Sequence, residues 1–231
     1  MNSMNKAYRF SLNELKYMEK LQARFKKHGF SFERWPEVYW GDFEVDGLFM
    51  EKYSGDWNII FNPDYLGVYK YGNEGIIILN RKNILECVNK ISPDLQHLTK
   101  NEILEALKFK VLMHEIGHWL THWCCDDNVN VGNFKNLDDV VIETMAQLSV
   151  EWALGKYSNP FVQSVRDVFD FIVPLQPYPY QAFKAFGKNS SKIGTILRRY
   201  NKVLDGDEKE IHLFKDADKN DLRLRNCLRQ F

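Results

Sequence analysis

Residues 111–119 read VLMHEIGHW, and this stretch decides how the rest of the chain is interpreted. It contains the pattern H-E-x-x-H, with His114 and His118 four residues apart and Glu115 directly after the first histidine. On an α-helix, residues four apart lie on one face, about one turn from each other. Two imidazoles so placed can bind one zinc ion, with zinc–nitrogen distances of about 2.0–2.1 Å. The stretch therefore predicts a zinc site on a helix, with Glu115 positioned to activate water at the metal.

A capping box predicts where this helix begins. Thr99 and Glu102 have the spacing of such a box, and the helix is predicted from about residue 100 to residue 122. An apolar stripe on the same face leads to the two histidines and consists of Leu104, Leu107 and Val111. The metal-binding face is therefore expected to continue the core-facing side of the helix, where a site is rigid and partly dry.

Two residues compete to be the third protein ligand of a catalytic zinc site, which keeps its fourth position open. His122 lies four residues after the second histidine, but about 12 Å along the helix axis from the first. Glu143 lies in a second predicted helix, from about residue 137 to residue 154. We favour Glu143, because its neighbours are apolar and a bare carboxylate among them is costly unless it is paired or bound to metal. The small Ala146 side chain lets the two helices approach closely.

Three residues near these ligands are candidates for supporting roles. Asp139 and Gln147 lie one turn before and one turn after Glu143, and either can orient a ligand histidine by hydrogen bonding. His122 can orient a neighbour or assist an oxyanion. The alternative for Asp139 and Gln147 is an ordinary position on the helix surface, and the alternative for His122 is a purely structural role.

Two further pairs of residues follow the metal helix in sequence. Tyr178 and Tyr180 are candidates for stabilising an oxyanion through a hydroxyl group, although packing is the more common role of such a segment. Cys124 and Cys125 are predicted to be inert toward metal, because their spacing matches no structural zinc pattern.

The part of the chain before the predicted metal-binding helix contains several strand signals. Short runs such as residues 57–61 and 67–71 alternate with turn signals, and residues 75–80, GIIILN, form the clearest strand. We predict a small, mostly antiparallel sheet. If residues 75–80 form an edge strand near the metal, they can pair with an extended peptide, and a buried core strand is the alternative.

Helical signals flank this central part. Ser11 and Glu14 form a capping box for a helix over residues 11–28. Its apolar stripe is predicted to be Leu12, Leu15, Met18, Leu21 and Phe25. Residues 160–204 are predicted to be mostly helical, with a break at three prolines near residue 177. The fold class is therefore α+β, in one domain over residues 1–231, with a zincin-like core at about residues 30–155 and a helical extension over residues 156–231.

Composition narrows the function classes. The 231 residues carry 31 basic and 31 acidic side chains, so the bulk charge does not favour nucleic acid as a partner. The first 20 residues lack an apolar signal-peptide region, and the apolar runs are too short to span a bilayer. We therefore expect no membrane partner, and we expect a soluble cytoplasmic protein whose four cysteines stay reduced.

In the order of these elements, the chain resembles the ImmA/IrrE family of zinc metallopeptidases. The likeness covers roughly residues 74–155 and rests on the GIIILN strand, on HEIGH followed by His122, and on the ETMA run that begins at Glu143. The resemblance implies a compact gluzincin-like domain with His114, His118 and Glu143 as zinc ligands and Glu115 as the catalytic acid and base. It also implies a bacterial or phage regulatory protease whose substrate is a repressor-type transcription factor.

The expected reaction is hydrolysis of a peptide bond in a peptide or protein substrate, with zinc as the cofactor. One alternative is a catalytically inactive zinc-binding protein that keeps the H-E-x-x-H site for regulation or interaction. Another is a structural zinc site that links two helices. A structural site is normally closed by four protein ligands, whereas a catalytic site keeps one position open.

Overall fold

The fold is given by a computed structural model that describes residues 8–27, 35–41, 65–70, 75–125, 139–155 and 158–186. In chain order its elements are α1 (Leu12–Lys27), β1 (Glu37–Gly41), β2 (Gly67–Lys70), β3 (Ile76–Asn80), α2 (Arg81–Ile91), α3 (Lys100–Cys125), α4 (Asp139–Leu154), α5 (Pro160–Ile172) and α6 (Tyr178–Gln181). Short 3₁₀ turns at Val173–Leu175 and Ala182–Phe186 flank α6. This mostly helical arrangement with one small sheet confirms the predicted α+β class.

The three described strands form one sheet in the order β1-β3-β2. Strand β1 runs parallel to β3, whereas β2 runs antiparallel to it. The prediction of a mostly antiparallel sheet is therefore wrong for the described strands, since one of their two pairings is parallel. Predicted strand residues 57–61 lie outside the described residues.

Strand β3 lies between β1 and β2, so the edge-strand alternative, in which it would pair with a peptide, is wrong. Its residues Ile77, Ile78 and Leu79 are all buried, which leaves no polar face. A continuous apolar run of this kind is typical of a strand that is covered on both sides. The core-strand alternative therefore holds.

Capping boxes begin two of the helices, as predicted. In α1, the Ser11 amide donates to the Glu14 carboxylate at 2.6 Å, and the Glu14 amide donates to the Ser11 hydroxyl at 3.2 Å. In front of α3, the Thr99 amide donates to Glu102 at 2.8 Å, and the Glu102 amide donates to the Thr99 hydroxyl at 3.2 Å. Each box satisfies donors that the first turn of a helix leaves unpaired.

The predicted apolar stripe of α1 is only partly correct. Met18 and Leu21 are buried, but Leu12 and Leu15 are exposed, and the side chain of Phe25 lies outside the described ones. Tyr17 takes the core position instead, because its ring packs against aromatic rings of α3 and α5 at centroid distances of 5.3 and 6.4 Å. Aromatic rings bury more area than leucine, so Tyr17 sets which face turns inward.

Helix α2 was not predicted. It begins directly after β3, where the Asn80 side chain accepts a hydrogen bond from the Asn83 amide at 3.2 Å. Its buried residues Ile84, Val88 and Ile91 have helical spacing, and this spacing was the signal from which the helix could have been predicted. The helix forms one wall of the cavity described below.

Helix α3 is the axis of the core and packs against α4, α5, α2 and the sheet. Its crossing with α4 is very close at Gly117, where an added Cβ atom would lie 2.7 Å from the Ala146 Cα atom and 2.9 Å from the Ser149 Cβ atom. This confirms the close approach expected at Ala146. Helix α4 ends at Leu154, as predicted, and is followed by Gly155 with a φ of 54°.

The proline break after α5 is present as well, in the 3₁₀ turn Val173–Leu175, whereas residues 187–204 of the predicted helical region lie outside the described part. None of the described helices combines the length and apolar character needed to cross a membrane.

Candidate metal centre

The structure brings the three predicted ligands together at the crossing of α3 and α4. The Nε2 atoms of His114 and His118 are 3.2 Å apart. The Oε2 atom of Glu143 lies 3.1 Å from His114 Nε2, and its Oε1 atom lies 3.7 Å from His118 Nε2. In a tetrahedral zinc site with bonds of 2.0–2.1 Å, neighbouring ligand atoms are separated by about 3.3 Å. The three side chains therefore form a triangle of the size that a single metal ion requires.

Glu115 lies beside this triangle. Donor atoms of His114, Glu115 and His118 all lie within 4.8 Å of one another, a grouping that can hold a metal ion. Two carboxylates, one from each helix, thus flank the imidazole pair, and the oxygens of Glu143 approach both imidazoles directly.

Burial keeps both histidines neutral. It lowers the pKa of His114 well below its ordinary value and lowers the pKa of His118 to about 4, and the Lys110 ammonium acts in the same direction on both. Glu143 partly opposes the pKa change at His118. A neutral imidazole has a free lone pair on one ring nitrogen, which is the form that binds metal.

Glu143 is half-buried, and one of its carboxylate oxygens has no hydrogen-bond partner among the described residues. Burial raises the pKa of its carboxyl group, while His118, Lys110 and a hydrogen bond from the Tyr180 hydroxyl oppose this change. Its Oε2 atom is buried and accepts no hydrogen bond from the described residues. A buried carboxylate oxygen of this kind needs a compensating partner, and a cation between Glu143 and the imidazoles would supply one.

Tyr180 also contacts two of the proposed ligands, His114 and Glu143. Its ring stacks on the imidazole of His114, with centroids 5.7 Å apart and planes at 17°. The position of Tyr180 in the site agrees with the sequence prediction, but its hydroxyl is bonded to Glu143. The side chain of Tyr178 lies outside the described ones.

Strand β2 passes directly over Glu115. The backbone amide of Tyr69 donates a hydrogen bond to the Glu115 carboxylate. At Gly67, an added Cβ atom would lie 2.5 Å from Val111 Cγ1 and 2.9 Å from Glu115 Oε1, so only glycine allows this approach. Burial, with a smaller contribution from Glu143, raises the pKa of Glu115 to about 8, and Lys110 opposes the rise.

His122, the alternative third ligand, is not part of the group formed by His114, His118 and Glu143, which is called the metal cluster below. Its Nδ1 atom is hydrogen-bonded to the Tyr69 hydroxyl at 2.6 Å in the buried contact between α3 and β2. His122 therefore fastens the strand whose amide holds Glu115. The sequence left its role open, because a pairing with β2 is not visible in the helix pattern.

Gln147 is buried in the site, as its predicted role as an orienting residue requires. Its side chain acts to raise the pKa of His114, and its Nε2 atom donates to Gln176 Oε1 at 3.1 Å. The side chains of Asp139, Cys124 and Cys125 lie outside the described ones.

Lys110 is a site residue that the sequence analysis missed. It lies one turn before His114 and is only 3% exposed. Burial lowers its pKa to about 8, while Glu115, Glu143 and Cys87 oppose the change. A lysine four residues before the motif, on an otherwise apolar face, was the available signal.

A cavity of about 580 Å³ opens beside the metal cluster. His114, Glu115 and Lys110 lie along one wall, Cys87 of α2 lies on the second, and Leu175 and Tyr180 lie on the third. The cluster is therefore accessible from one side, although its two histidines are buried.

Comparison of the chain with known protein families, with curated proteins and with solved structures found no match.

Proposed function

We propose that this chain is a zinc-dependent metallopeptidase in which His114, His118 and Glu143 hold the metal. The triangle of two imidazole nitrogens and one carboxylate, with separations of 3.1–3.7 Å, carries the proposal. Two histidines and a glutamate are a donor set of catalytic zinc sites. Imidazole ligands favour zinc over calcium or magnesium, which prefer oxygen ligands alone.

The cavity favours a catalytic site over a structural one. A structural zinc is normally enclosed by four protein ligands, whereas a catalytic zinc keeps a position for water or substrate. Here three ligands come from α3 and α4, and the cavity borders His114 and Glu115 on the open side. Its volume is in the range of cavities that bind small ligands or short peptide segments.

Glu115 is proposed as the general base and acid. Zinc, when bound, supplies a Lewis acid that polarises the scissile carbonyl and lowers the pKa of a water molecule. The Glu115 carboxylate then accepts the proton of the attacking water and delivers it to the leaving amine. The amide of Tyr69 fixes the carboxylate from the opposite side, so that its orientation does not depend on substrate.

Tyr180 is proposed as an orienting residue for the ligands. Its hydroxyl donates to Glu143 and its ring covers His114, so that it restrains two ligands at once. Partners that orient metal ligands commonly change metal affinity by about 10–100-fold when they are removed. This role differs from the oxyanion-stabilising role predicted from the sequence.

The wider assignment follows the family resemblance. We propose a zincin-like core at about residues 30–155, as the ImmA/IrrE resemblance implies, followed by a helical extension over residues 156–231, which the resemblance does not cover. Within the proposed extension, Tyr180 reaches the metal site, so the extension contributes to it. A repressor-type protein in the cytoplasm is the substrate that this resemblance favours.

The test compares the zinc-loaded protein with its Glu115→Gln variant on a peptide library and on co-expressed repressor proteins. The variant keeps the shape of the side chain but removes the base, so hydrolysis is expected to fall by roughly 10²–10⁴-fold while zinc remains bound. Glu105→Gln, the same change on the more exposed side of α3, is the matched control and is expected to retain activity.

Two outcomes would contradict the proposal. Equal turnover by wild type and Glu115→Gln would eliminate Glu115 as the base. A wild type that binds zinc but cleaves nothing in a broad screen would identify the chain as an inactive zinc-binding protein.

A further inference from the structure

Lys110 is the one cationic side chain that lies buried against the metal cluster among the described residues. Lysine is rarely buried, because removing an ammonium group from water is costly unless a partner compensates for it. Among the described residues, no carboxylate lies within ion-pair distance of the Lys110 ammonium, although Glu115 and Glu143 act on it from farther away. The fold therefore maintains a buried positive charge that its own described side chains do not pair.

The surroundings of Lys110 form one end of the cavity. The neighbouring Val111 and Ile172 supply apolar walls, and Cys87 and Lys90 approach from α2. Burial lowers the pKa of Lys110 to about 8, while Glu115 and Glu143 oppose the change. The cavity is thus lined by Lys110 together with His114 and Glu115, and polar side chains such as Glu86 and Gln176 line it as well.

The position of Lys110 in the cavity favours an anion there. An incoming carboxylate on this side of the cavity would pair with the Lys110 ammonium. It would accept charge-assisted hydrogen bonds, which are stronger than neutral ones.

We propose that Lys110 is a specificity-determining residue that binds a carboxylate of the peptide substrate close to the scissile bond. This inference rests on the proposed peptidase function and names its substrate class. Four residues of helix separate Lys110 from His114 by about 6 Å along the axis, and an extended peptide advances about 3.3 Å per residue. The bound carboxylate is therefore one or two residues from the scissile bond. It belongs either to an Asp or Glu side chain or to a free C-terminus.

Two peptide series distinguish these sources. In the first, acetylated and amidated peptides differ only by Asp or Glu in place of Asn or Gln, scanned through each position. In the second, neutral peptides end in either a free carboxylate or an amide. The zinc-loaded full chain is assayed for kcat/KM on both series, and the zinc-loaded Glu115→Gln variant is assayed for Kd by calorimetry.

The matched variants are Lys110→Met and Lys108→Met. Both remove an ammonium group from α3, but Lys108 pairs with Glu105 at 3.1 Å and does not line the cavity. A charged hydrogen bond contributes about 1.5–3 kcal/mol, so wild type is expected to prefer one carboxylate series by roughly 10–100-fold. The preference should nearly disappear in Lys110→Met, remain in Lys108→Met, and return in part in Lys110→Arg.

Failure of this inference is distinguishable from failure of the peptidase proposal. If peptides are cleaved without any preference for a carboxylate, or if the preference persists in a folded, zinc-loaded Lys110→Met, the inference is wrong and the peptidase function stands. If the wild type cleaves no peptide, the peptidase function fails, and the Kd values decide the inference. Equal Kd values for carboxylate and neutral peptides overturn it. Lys110→Gln replaces Lys110→Met if the latter loses its zinc.

Discussion

The two halves of α3 are built on different principles. In residues 100–109, buried and exposed positions alternate with the helical period, as in an ordinary amphipathic helix. In residues 110–122, every position is buried. Six of the buried side chains in this second half are polar or charged: Lys110, His114, Glu115, His118, Thr121 and His122.

This difference separates stability from function within one helix. The first half buries apolar side chains and leaves its charges in water, so it stabilises the fold at little electrostatic cost. The second half removes charges and imidazoles from water, which is unfavourable unless partners or an ion compensate. A protein that keeps such a cluster in its core is less stable than it would be with apolar side chains there. This trade-off between stability and function can be measured.

The largest effect of this trade-off is expected for Glu115→Gln, which should change the stability of the metal-free protein. The folded-state pKa of Glu115 is raised to about 8 from 4.5, so its stabilising contribution is present below pH 4.5 and is lost as the pH rises to 8. The glutamine variant does not titrate. Its free energy of unfolding, measured with urea, should therefore exceed that of wild type by a growing margin from pH 5 to pH 8.

The control for this comparison is Glu105→Gln, in the first half of α3. Because that side chain is 44% exposed, its substitution should change stability little and equally at both pH values. If the stability margin of Glu115→Gln over wild type is constant or shrinks with rising pH, burial does not raise the pKa of Glu115.

Gly117→Ala is expected to have the next largest effect, on zinc affinity. The added methyl group would collide with the backbone of α4 at Ala146, so the two helices must separate by some tenths of an ångström or more. This moves Glu143 away from the histidines without altering any ligand. Competition with a chelator should show affinity lower by about 10–100-fold, the range for changes that disturb ligand orientation. Unchanged affinity in a folded variant would mean that the helix spacing does not set the site.

Thr99→Ala should have the smallest effect and should act on stability alone. It removes the hydroxyl that caps α3, and such losses typically cost about 1 kcal/mol. Zinc affinity should be unchanged, because Thr99 caps the first half of α3, which serves the fold. Calorimetry of the zinc-free protein and a zinc titration measure the two quantities, and a parallel loss of zinc affinity would remove the distinction between the halves.

Local sequence patterns were sufficient to predict much of the candidate site. His114 and His118 are placed by helical periodicity alone, and the apolar neighbours of Glu143 identified it as a carboxylate in need of a partner. The capping boxes at Ser11 and Thr99 were predictable for the same reason, since a helix start is decided within four residues.

Contacts between distant segments were not predictable in the same way. The parallel pairing of β1 with β3 depends on two strands about 40 residues apart, and no local pattern specifies it. The bond between Tyr69 and His122 and the burial of Lys110 likewise depend on which surfaces meet after folding. Tyr17 displaced the predicted leucines of α1 because its aromatic partners come from other helices.

The central claim is that one metal ion is held by two histidines of α3 and by Glu143 of α4. The most direct test is the zinc content of purified wild type, Glu143→Ala and His122→Gln, measured by elemental analysis after dialysis against a weak chelator, with circular dichroism to confirm folding. We predict one zinc per chain in wild type and in His122→Gln, and a clear loss in Glu143→Ala. Full zinc content in a folded Glu143→Ala, or loss in His122→Gln alone, would contradict the account.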